Sequence, residues 1–93
     1  MDEIRIPAVI YQDSRLSCAA RLVYGEIDRL CRQSHGACQI TTRQIADVYA
    51  IALGSAGTYI KQLQAYGYLK VMPGKHNARI FSTTLPLTEE EKG

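Results

Sequence analysis

Two short helical patterns lie close together in the second half of the chain, and their spacing restricts the fold more than any other feature. The first pattern begins at Thr41, where Gln44 completes the T-x-x-Q spacing of a capping box. Its apolar residues repeat with helical spacing: Ile45, Val48 and Tyr49. Only Ala50-Ile51-Ala52 separates it from the second pattern, so we expect the two helices to meet at a tight turn.

The second pattern predicts a helix that ends at a glycine. Ala56, Ile60 and Leu63 repeat at i, i+4 and i+7, which gives one apolar stripe. Gly67 then occupies the position where a left-handed C-terminal cap is expected. We therefore expect this helix to extend from the tight turn to Gly67.

The residues after Gly67 predict a β-hairpin. Residues 68–72 alternate in the manner of a strand, and residues 78–83 supply a return strand. Pro73-Gly74 between them is the pair favoured at the centre of a type II turn. The predicted tip holds Lys75, His76 and Asn77.

The first half of the chain predicts an arm, a helix and a short strand. Residues 4–11 are rich in β-branched side chains and contain Pro7, which favours an extended arm or edge strand. Ser17 is a suitable N-cap for a helix with one apolar stripe, formed by Ala20, Val23, Tyr24, Ile27, Leu30 and Cys31. The opposite, polar face is expected to hold Arg21, Glu26, Asp28, Arg29 and Arg32. Residues 33–36 end this helix, and residues 37–40 favour a short strand.

The length of 93 residues allows one compact core, and 46% hydrophobic with 22% charged residues is typical of a globular domain. We divide the chain into an N-terminal arm (1–11), a folded domain (12–85) and an acidic, flexible tail (86–93). No apolar run is long enough to cross a bilayer, so no membrane partner is expected. The acidic start Met1-Asp2-Glu3 is unlike a secretory signal, which favours the cytoplasm.

The formal charge of +2 conceals an uneven distribution. Five of the nine acids lie at the two ends, so residues 4–88 contain ten bases and four acids, a difference of +6. Residues 41–81 contain five bases and one acid, Asp47. Such a domain attracts phosphate backbones, and an ordinary solvated surface is the less favoured interpretation of the same residues.

The predicted elements follow the order of a winged helix-turn-helix: arm, helix, short strand, helix, tight turn, helix and hairpin. Residues 45–52, 60–63 and 67–69 resemble the helix-turn-helix core that is common in bacterial regulators and in plasmid and phage replication initiators. Further residues resemble the opening of the replication-type domains: Ile6-Pro7, Tyr11, Asp13, Leu16-Ser17 and Leu22-Val23-Tyr24. The resemblance implies an α+β, mainly helical fold with a three-helix core and a C-terminal β-hairpin wing. It also implies a DNA-binding protein that regulates transcription or initiates DNA replication.

The same resemblance implies that the last helix and the wing contact double-stranded DNA. The candidate DNA-binding residues are Thr42, Arg43, Leu53, Gly54, Ser55, Gly57, Thr58, Lys61, Lys75, His76 and Arg79. The chain departs from the family at Ala50, where the turn usually has glycine, and at Ala52, where a serine commonly caps the recognition helix. The outward positions of that helix also lack the Arg, Lys, Asn or Gln side chains that read base edges.

Two interpretations of this small, uncharged helix face remain open. In the first, Gly54 and Gly57 let the backbone lie close to DNA, while Ser55, Thr58 and the helix amides reach phosphates and Lys61 adds charge. In the second, Leu53 and the glycines form a flat apolar patch that packs against another protein or a second copy of the chain. The charge distribution favours DNA, and a protein-interaction module without DNA binding is the alternative.

Other chemistry has little support in the sequence. Cys18, Cys31 and Cys38 are odd in number, and we interpret them as reduced, buried thiols. Cys31, His35 and Cys38 lie close in sequence, but a structural zinc site normally needs a fourth ligand, so neither a metal nor a cofactor is expected.

Catalysis and base stacking are also disfavoured. No arrangement of nucleophile, base and acid accompanies the two histidines, and no phosphate-binding glycine loop occurs, so we expect no enzymatic activity. Tyr24, Tyr49 and Tyr66 lie on or beside apolar stripes, which favours core packing with a surface hydroxyl over stacking on bases.

Overall fold

The computed structural model describes residues 4–74 and 78–84. Within these residues the fold is α+β, with four helices and a three-stranded antiparallel sheet of order β1-β3-β2. In chain order the elements are α1 (Ala8–Tyr11), α2 (Cys18–Gln33), β1 (Cys38–Ile40), α3 (Thr42–Tyr49), α4 (Leu53–Ala65), β2 (Leu69–Pro73) and β3 (Arg79–Thr83). This order is compatible with a winged helix-turn-helix. None of the described helices is both long and apolar enough to span a membrane.

The segment before α2 differs from the predicted extended arm. Ala8–Tyr11 forms a helical turn, and Pro7 is its N-cap residue. The Pro7 carbonyl oxygen accepts hydrogen bonds from the amides of Ile10 and Tyr11 at 2.9 and 3.1 Å. Proline has a φ suited to a helix start and no amide hydrogen to leave unpaired there, so it begins this helix. The turn buries Ile10 completely in the core, and the expectation of an extended arm or edge strand is wrong for these residues.

Helix α2 begins at the predicted cap and buries the predicted stripe. The Ser17 hydroxyl accepts a hydrogen bond from the Ala20 amide at 3.1 Å. The stripe is buried except for Leu30, which is half-buried. Glu26 was expected on the polar face, but only 5% of it is exposed. It lies three residues after Val23 and four before Leu30, so it flanks the apolar stripe and is covered with it.

Helices α3 and α4 form the predicted pair around a tight turn. The Thr41–Gln44 capping box is present, with the Gln44 amide donating to Thr41 Oγ1 at 3.1 Å and the Thr41 amide donating to Gln44 Oε1 at 2.7 Å. Ala50 ends α3 with a left-handed φ of 52°. This conformation explains why the resembled family favours glycine at the position. Helix α4 begins after Ala52, which offers no side-chain cap.

One apolar residue of α3 does not face the core. Val48 was expected on the buried face but is 59% exposed, so that prediction is wrong. Ile45 and Ala46 are buried instead. At about 100° per residue, Val48 lies roughly a third of a turn from the mean direction of these two residues, at the edge of the buried face.

The hairpin is confirmed, but its turn is not the predicted one. Strands β2 and β3 pair from Leu69↔Thr83 to Pro73↔Arg79, so Pro73 lies within the ladder. The Gly74 amide then donates to the Ala78 carbonyl oxygen at 3.1 Å, and Gly74 lacks the positive φ that a type II turn requires. The type II turn centred on Pro73-Gly74 is therefore wrong, and the predicted tip residues 75–77 lie outside the described residues.

The core lies between α2, α4 and the helix-facing side of the sheet. Its largest fully buried side chain is Phe81, on the central strand β3. Tyr24 and Tyr68 are buried against each other edge to face, with ring centroids 6.5 Å apart. Tyr49 and Tyr66 are half-buried against the same cluster. Core packing of these tyrosines is confirmed, although the Tyr49 hydroxyl is buried instead of lying at the surface.

Candidate nucleic-acid interface

The arginines of the first half of the domain are engaged with acidic groups. Side-chain ion pairs join Arg15 to Asp13 at 2.7 Å, Arg29 to Glu26 at 2.6 Å, and Arg32 to Asp28 at 3.1 Å. Arg21 also donates to the Asp13 carbonyl oxygen at 2.9 Å. Most of the positive charge in this half is therefore neutralised by acids or engaged in hydrogen bonds within the domain.

The second half of the domain has a different arrangement of charge. Arg43, Lys61, Lys70 and Arg79 are exposed, and within the described part of the chain their side chains form no hydrogen bond or ion pair. Asp47 is exposed one helical turn after Arg43, and it forms no ion pair in the same part of the chain. Because Asp47 offsets the charge of Arg43 on α3, the net positive charge of this half lies on α4 and the hairpin.

Most side chains on the solvent-facing side of α4 are small or absent. Gly54, Thr58 and Lys61 lie opposite the buried stripe of this helix. A Cβ atom placed on Gly54 or on Gly57 would meet no other atom within 4 Å. The two glycines therefore border open space, and an approaching surface comes close to the helix backbone here.

The first turn of α4 is not closed by a side chain. Ala52 provides no capping oxygen, and among residues 4–74 and 78–84 no side chain accepts a hydrogen bond from the amides that follow it. Leu53 is 44% exposed, Gly54 is exposed and Ser55 is half-buried. This end of α4 combines free amide hydrogens with the positive end of the helix dipole.

One predicted phosphate donor is already engaged. The Thr58 hydroxyl donates to the Gly54 carbonyl oxygen at 3.0 Å within α4. Because a hydroxyl has a single hydrogen and a phosphate oxygen can only accept, Thr58 cannot donate to phosphate without breaking this bond. Of the two hydroxyls predicted to reach DNA from this helix, only that of Ser55 has its hydrogen uncommitted among the described residues.

The cations of the hairpin lie on opposite faces of the sheet. Arg79 shares a face with Phe81, two residues along β3, which is the face that packs against the helices. Lys70 pairs with Ser82 on the other face, together with the exposed Met72. Arg79 and Lys70 therefore do not present their charge to the same side.

The structure brings the predicted residues together in three places. Thr42, half-buried, and Arg43, exposed, begin α3. The largest group occupies the first turns of α4: Leu53, Gly54, Ser55, Gly57, Thr58 and Lys61. Arg79 lies at the start of β3, while Lys75 and His76 are outside the described residues.

The thiols differ from their prediction in one respect. All three cysteines are free, and Cys31 and Cys38 are buried with their sulfur atoms 3.6 Å apart, whereas Cys18 is exposed at the start of α2. Burial and the adjacent Cys31 thiol raise the pKa of Cys38 to about 12. In residues 4–74 and 78–84 no three metal-ligating side chains are grouped where they could hold an ion.

Sequence reasoning missed a cleft of about 270 Å³ between α2, the end of β1 and α3. It is lined by Glu26, Arg29, Leu30, Ile40, Gln44, Ile45 and Val48. The signal that was available is the position of Glu26 beside an apolar stripe, where an acid is uncommon.

Comparison with known proteins gives no relative: no family model matches the chain, and neither does any curated protein or solved structure.

Proposed function

We propose that this protein is a winged helix-turn-helix DNA-binding protein that acts without catalysis in the cytoplasm. The observation that carries the proposal is the contrast between the two halves of the domain. Three of the four arginines in α2 and the loop before it are paired with acids. Arg43, Lys61 and Arg79, by contrast, are exposed and form no ion pair among the described residues. Uncompensated cations around a helix with an open face are what a duplex backbone requires.

In this proposal α4 lies against the major groove with its first turn toward phosphate. The uncapped amides after Ala52 supply donors, and Lys61, two helical turns further on, supplies charge on the same side. The wing contributes Arg79 from the sheet face that is directed toward the helices.

We expect the protein to bind duplex DNA tightly but with little preference for particular base sequences. The exposed face of α4 has glycines where bidentate side chains would read bases, and the Thr58 hydroxyl is held within the helix. Phosphate contacts position a protein on DNA but carry no direct sequence information. Sequence preference must then come mainly from DNA shape at the contacted site.

The cellular role follows from the family resemblance of residues 6–81. That resemblance supports two outcomes, regulation of transcription and initiation of plasmid or phage replication. The same domain could serve either role, since both roles need a protein that binds duplex DNA.

The proposal is tested by fluorescence anisotropy with a labelled duplex of about 25 base pairs over a range of salt concentrations. Three phosphate contacts from Arg43, Lys61 and Arg79 predict that the logarithm of the binding constant falls against the logarithm of salt with a slope of about −3. Absence of binding at low salt, or binding that salt does not weaken, would reject the proposal.

A second candidate function is protein interaction through the start of α4. Leu53 is 44% exposed beside the open Gly54, which together make a small flat apolar surface. Self-association through this surface predicts a dimer by light scattering that Leu53→Ser disrupts, in a protein that does not bind duplex DNA.

A further inference from the structure

The cleft between α2, β1 and α3 has the composition of a small-molecule site. Four of its seven lining residues are aliphatic: Leu30, Ile40, Ile45 and Val48. Val48 is 59% exposed, and Leu30 and Ile40 are only partly buried, so these apolar walls are open to solvent. A pocket with mostly apolar walls and a few fixed polar groups is the usual form of a ligand site.

A partly buried ion pair forms most of the polar part of the cleft. The side chain of Glu26 is 6% exposed, and Arg29 donates to both of its oxygens, from Nε at 3.1 Å and from a terminal nitrogen at 2.6 Å. Each carboxylate oxygen has a second lone pair, so Glu26 can still accept hydrogen bonds. The Arg29 charge fixes the carboxylate in place and makes the pair neutral as a whole.

A second buried polar group lies beside the cleft, since Tyr49 directly follows the lining residue Val48 in α3. The Tyr49 hydroxyl is buried and has no hydrogen-bond partner among the described residues. Burial, and secondly the negative charge of Glu26, raise the pKa of Tyr49 to about 12. Buried polar groups without partners are rare in folded proteins and often mark a site that something else completes.

We propose that the cleft binds a small, neutral, largely apolar molecule with one N–H or O–H donor, which it directs to Glu26. A neutral ligand suits this cleft because Arg29 already compensates the Glu26 carboxylate, so a charged ligand would find no unpaired opposite charge there. The volume of about 270 Å³ lies just below the range usual for pockets that hold drug-sized ligands, which suits a molecule of one or two rings. This site lies apart from the exposed face of α4, and its existence does not depend on DNA binding.

The test uses indole as the probe and the full chain labelled with ¹⁵N. Indole has a flat apolar body and a single N–H donor, and indene is its match in shape without the donor. In heteronuclear NMR titrations we expect saturable shifts of the amides of Glu26, Leu30, Gln44 and Val48 with indole. One hydrogen bond to a charged acceptor predicts that indene binds about tenfold more weakly.

Two variants separate the cleft from general adsorption to apolar surface. Val48→Ser removes an aliphatic wall at an exposed position, and we expect it to weaken indole binding severalfold while the spectrum remains that of a folded protein. Leu22→Ser changes another exposed aliphatic residue, 42% exposed on α2 and outside the cleft, and should leave binding unchanged. Equal binding of indole and indene, shifts located elsewhere, or equal effects of the two variants would overturn the proposal.

Discussion

The Tyr68 hydroxyl donates a hydrogen bond to Asp13 Oδ2 at 2.7 Å, which joins the loop before α2 to the start of the hairpin. Arg15 donates to both oxygens of the same carboxylate, at 2.9 and 2.7 Å. The Arg15 guanidinium also lies over the Tyr66 ring, 3.8 Å from its centroid. These contacts attach the N-terminal residues to the end of α4, close to where the hairpin begins.

The Asp13 contact predicts a specific loss of stability in acid. The hydrogen bonds from Arg15 and then from Tyr68 hold the pKa of Asp13 well below its usual range. The folded state therefore binds this proton less readily than the unfolded chain, whose Asp pKa is about 3.9. The resulting stabilisation is present above about pH 4 and is lost as the pH falls further, toward the folded pKa.

Asp13→Asn should accordingly lower the midpoint of urea unfolding at pH 7. Between pH 5 and pH 2, the midpoint of this variant should fall less than that of the unchanged protein. Asp47→Asn is the matched control, since Asp47 is exposed and has no ion pair among the described residues. Parallel pH curves for Asp13→Asn and the unchanged protein would show that the contact contributes nothing.

Local signals in the sequence predicted the helix boundaries but not the contacts between distant residues. The Ser17 cap, the Thr41–Gln44 capping box and the stripe of α4 act over three or four residues, and all are present. The bond between Asp13 and Tyr68 spans 55 positions, so no pattern of spacing indicates it. Pro7 misled the prediction because proline is compatible with both an edge strand and the start of a helix, and only the burial of Ile10 decides between these.

The sequence predicted which residues of the candidate site are exposed on α4, but it did not predict how the side chains of the hairpin are oriented. The exposure of Gly54, Thr58 and Lys61 follows from the period of the α4 stripe. The opposite orientation of Lys70 and Arg79 depends on the register of β2 and β3, which the misplaced type II turn obscured. The commitment of the Thr58 hydroxyl to the backbone is one of several arrangements open to a threonine in a helix.

The left-handed Ala50 predicts a stabilising substitution. A non-glycine residue in this conformation is strained by roughly 1–2 kcal/mol, and the higher entropy of glycine in the unfolded chain offsets part of the gain. Ala50→Gly should therefore raise the free energy of unfolding by about 0.5–1 kcal/mol in urea denaturation. Ala65→Gly, at the exposed last residue of α4, should instead lower it by up to about 0.5 kcal/mol, and a decrease in both variants would be evidence against the strain at Ala50.

The two faces of the hairpin predict unequal effects on DNA binding. Lys61→Ala and Arg79→Ala should each weaken binding to a duplex and reduce the salt slope by about 1. Lys70→Ala removes the same charge from the opposite side of the sheet, and we expect its affinity and slope to match those of the unchanged protein. Anisotropy at several salt concentrations measures both quantities, and equal losses from Lys70 and Arg79 would indicate a diffuse electrostatic attraction instead of an oriented surface.

The most direct measurement compares opposite charges introduced at Gly57, on the open side of α4. Since no atom lies within 4 Å of a Cβ there, both Gly57→Arg and Gly57→Glu should fold, which circular dichroism verifies. If this side of α4 lies on a duplex, Gly57→Arg gains a phosphate contact and tightens binding on the order of fivefold, while Gly57→Glu weakens it by a similar factor. Identical duplex affinities for the two folded variants would contradict the placement of α4 against DNA.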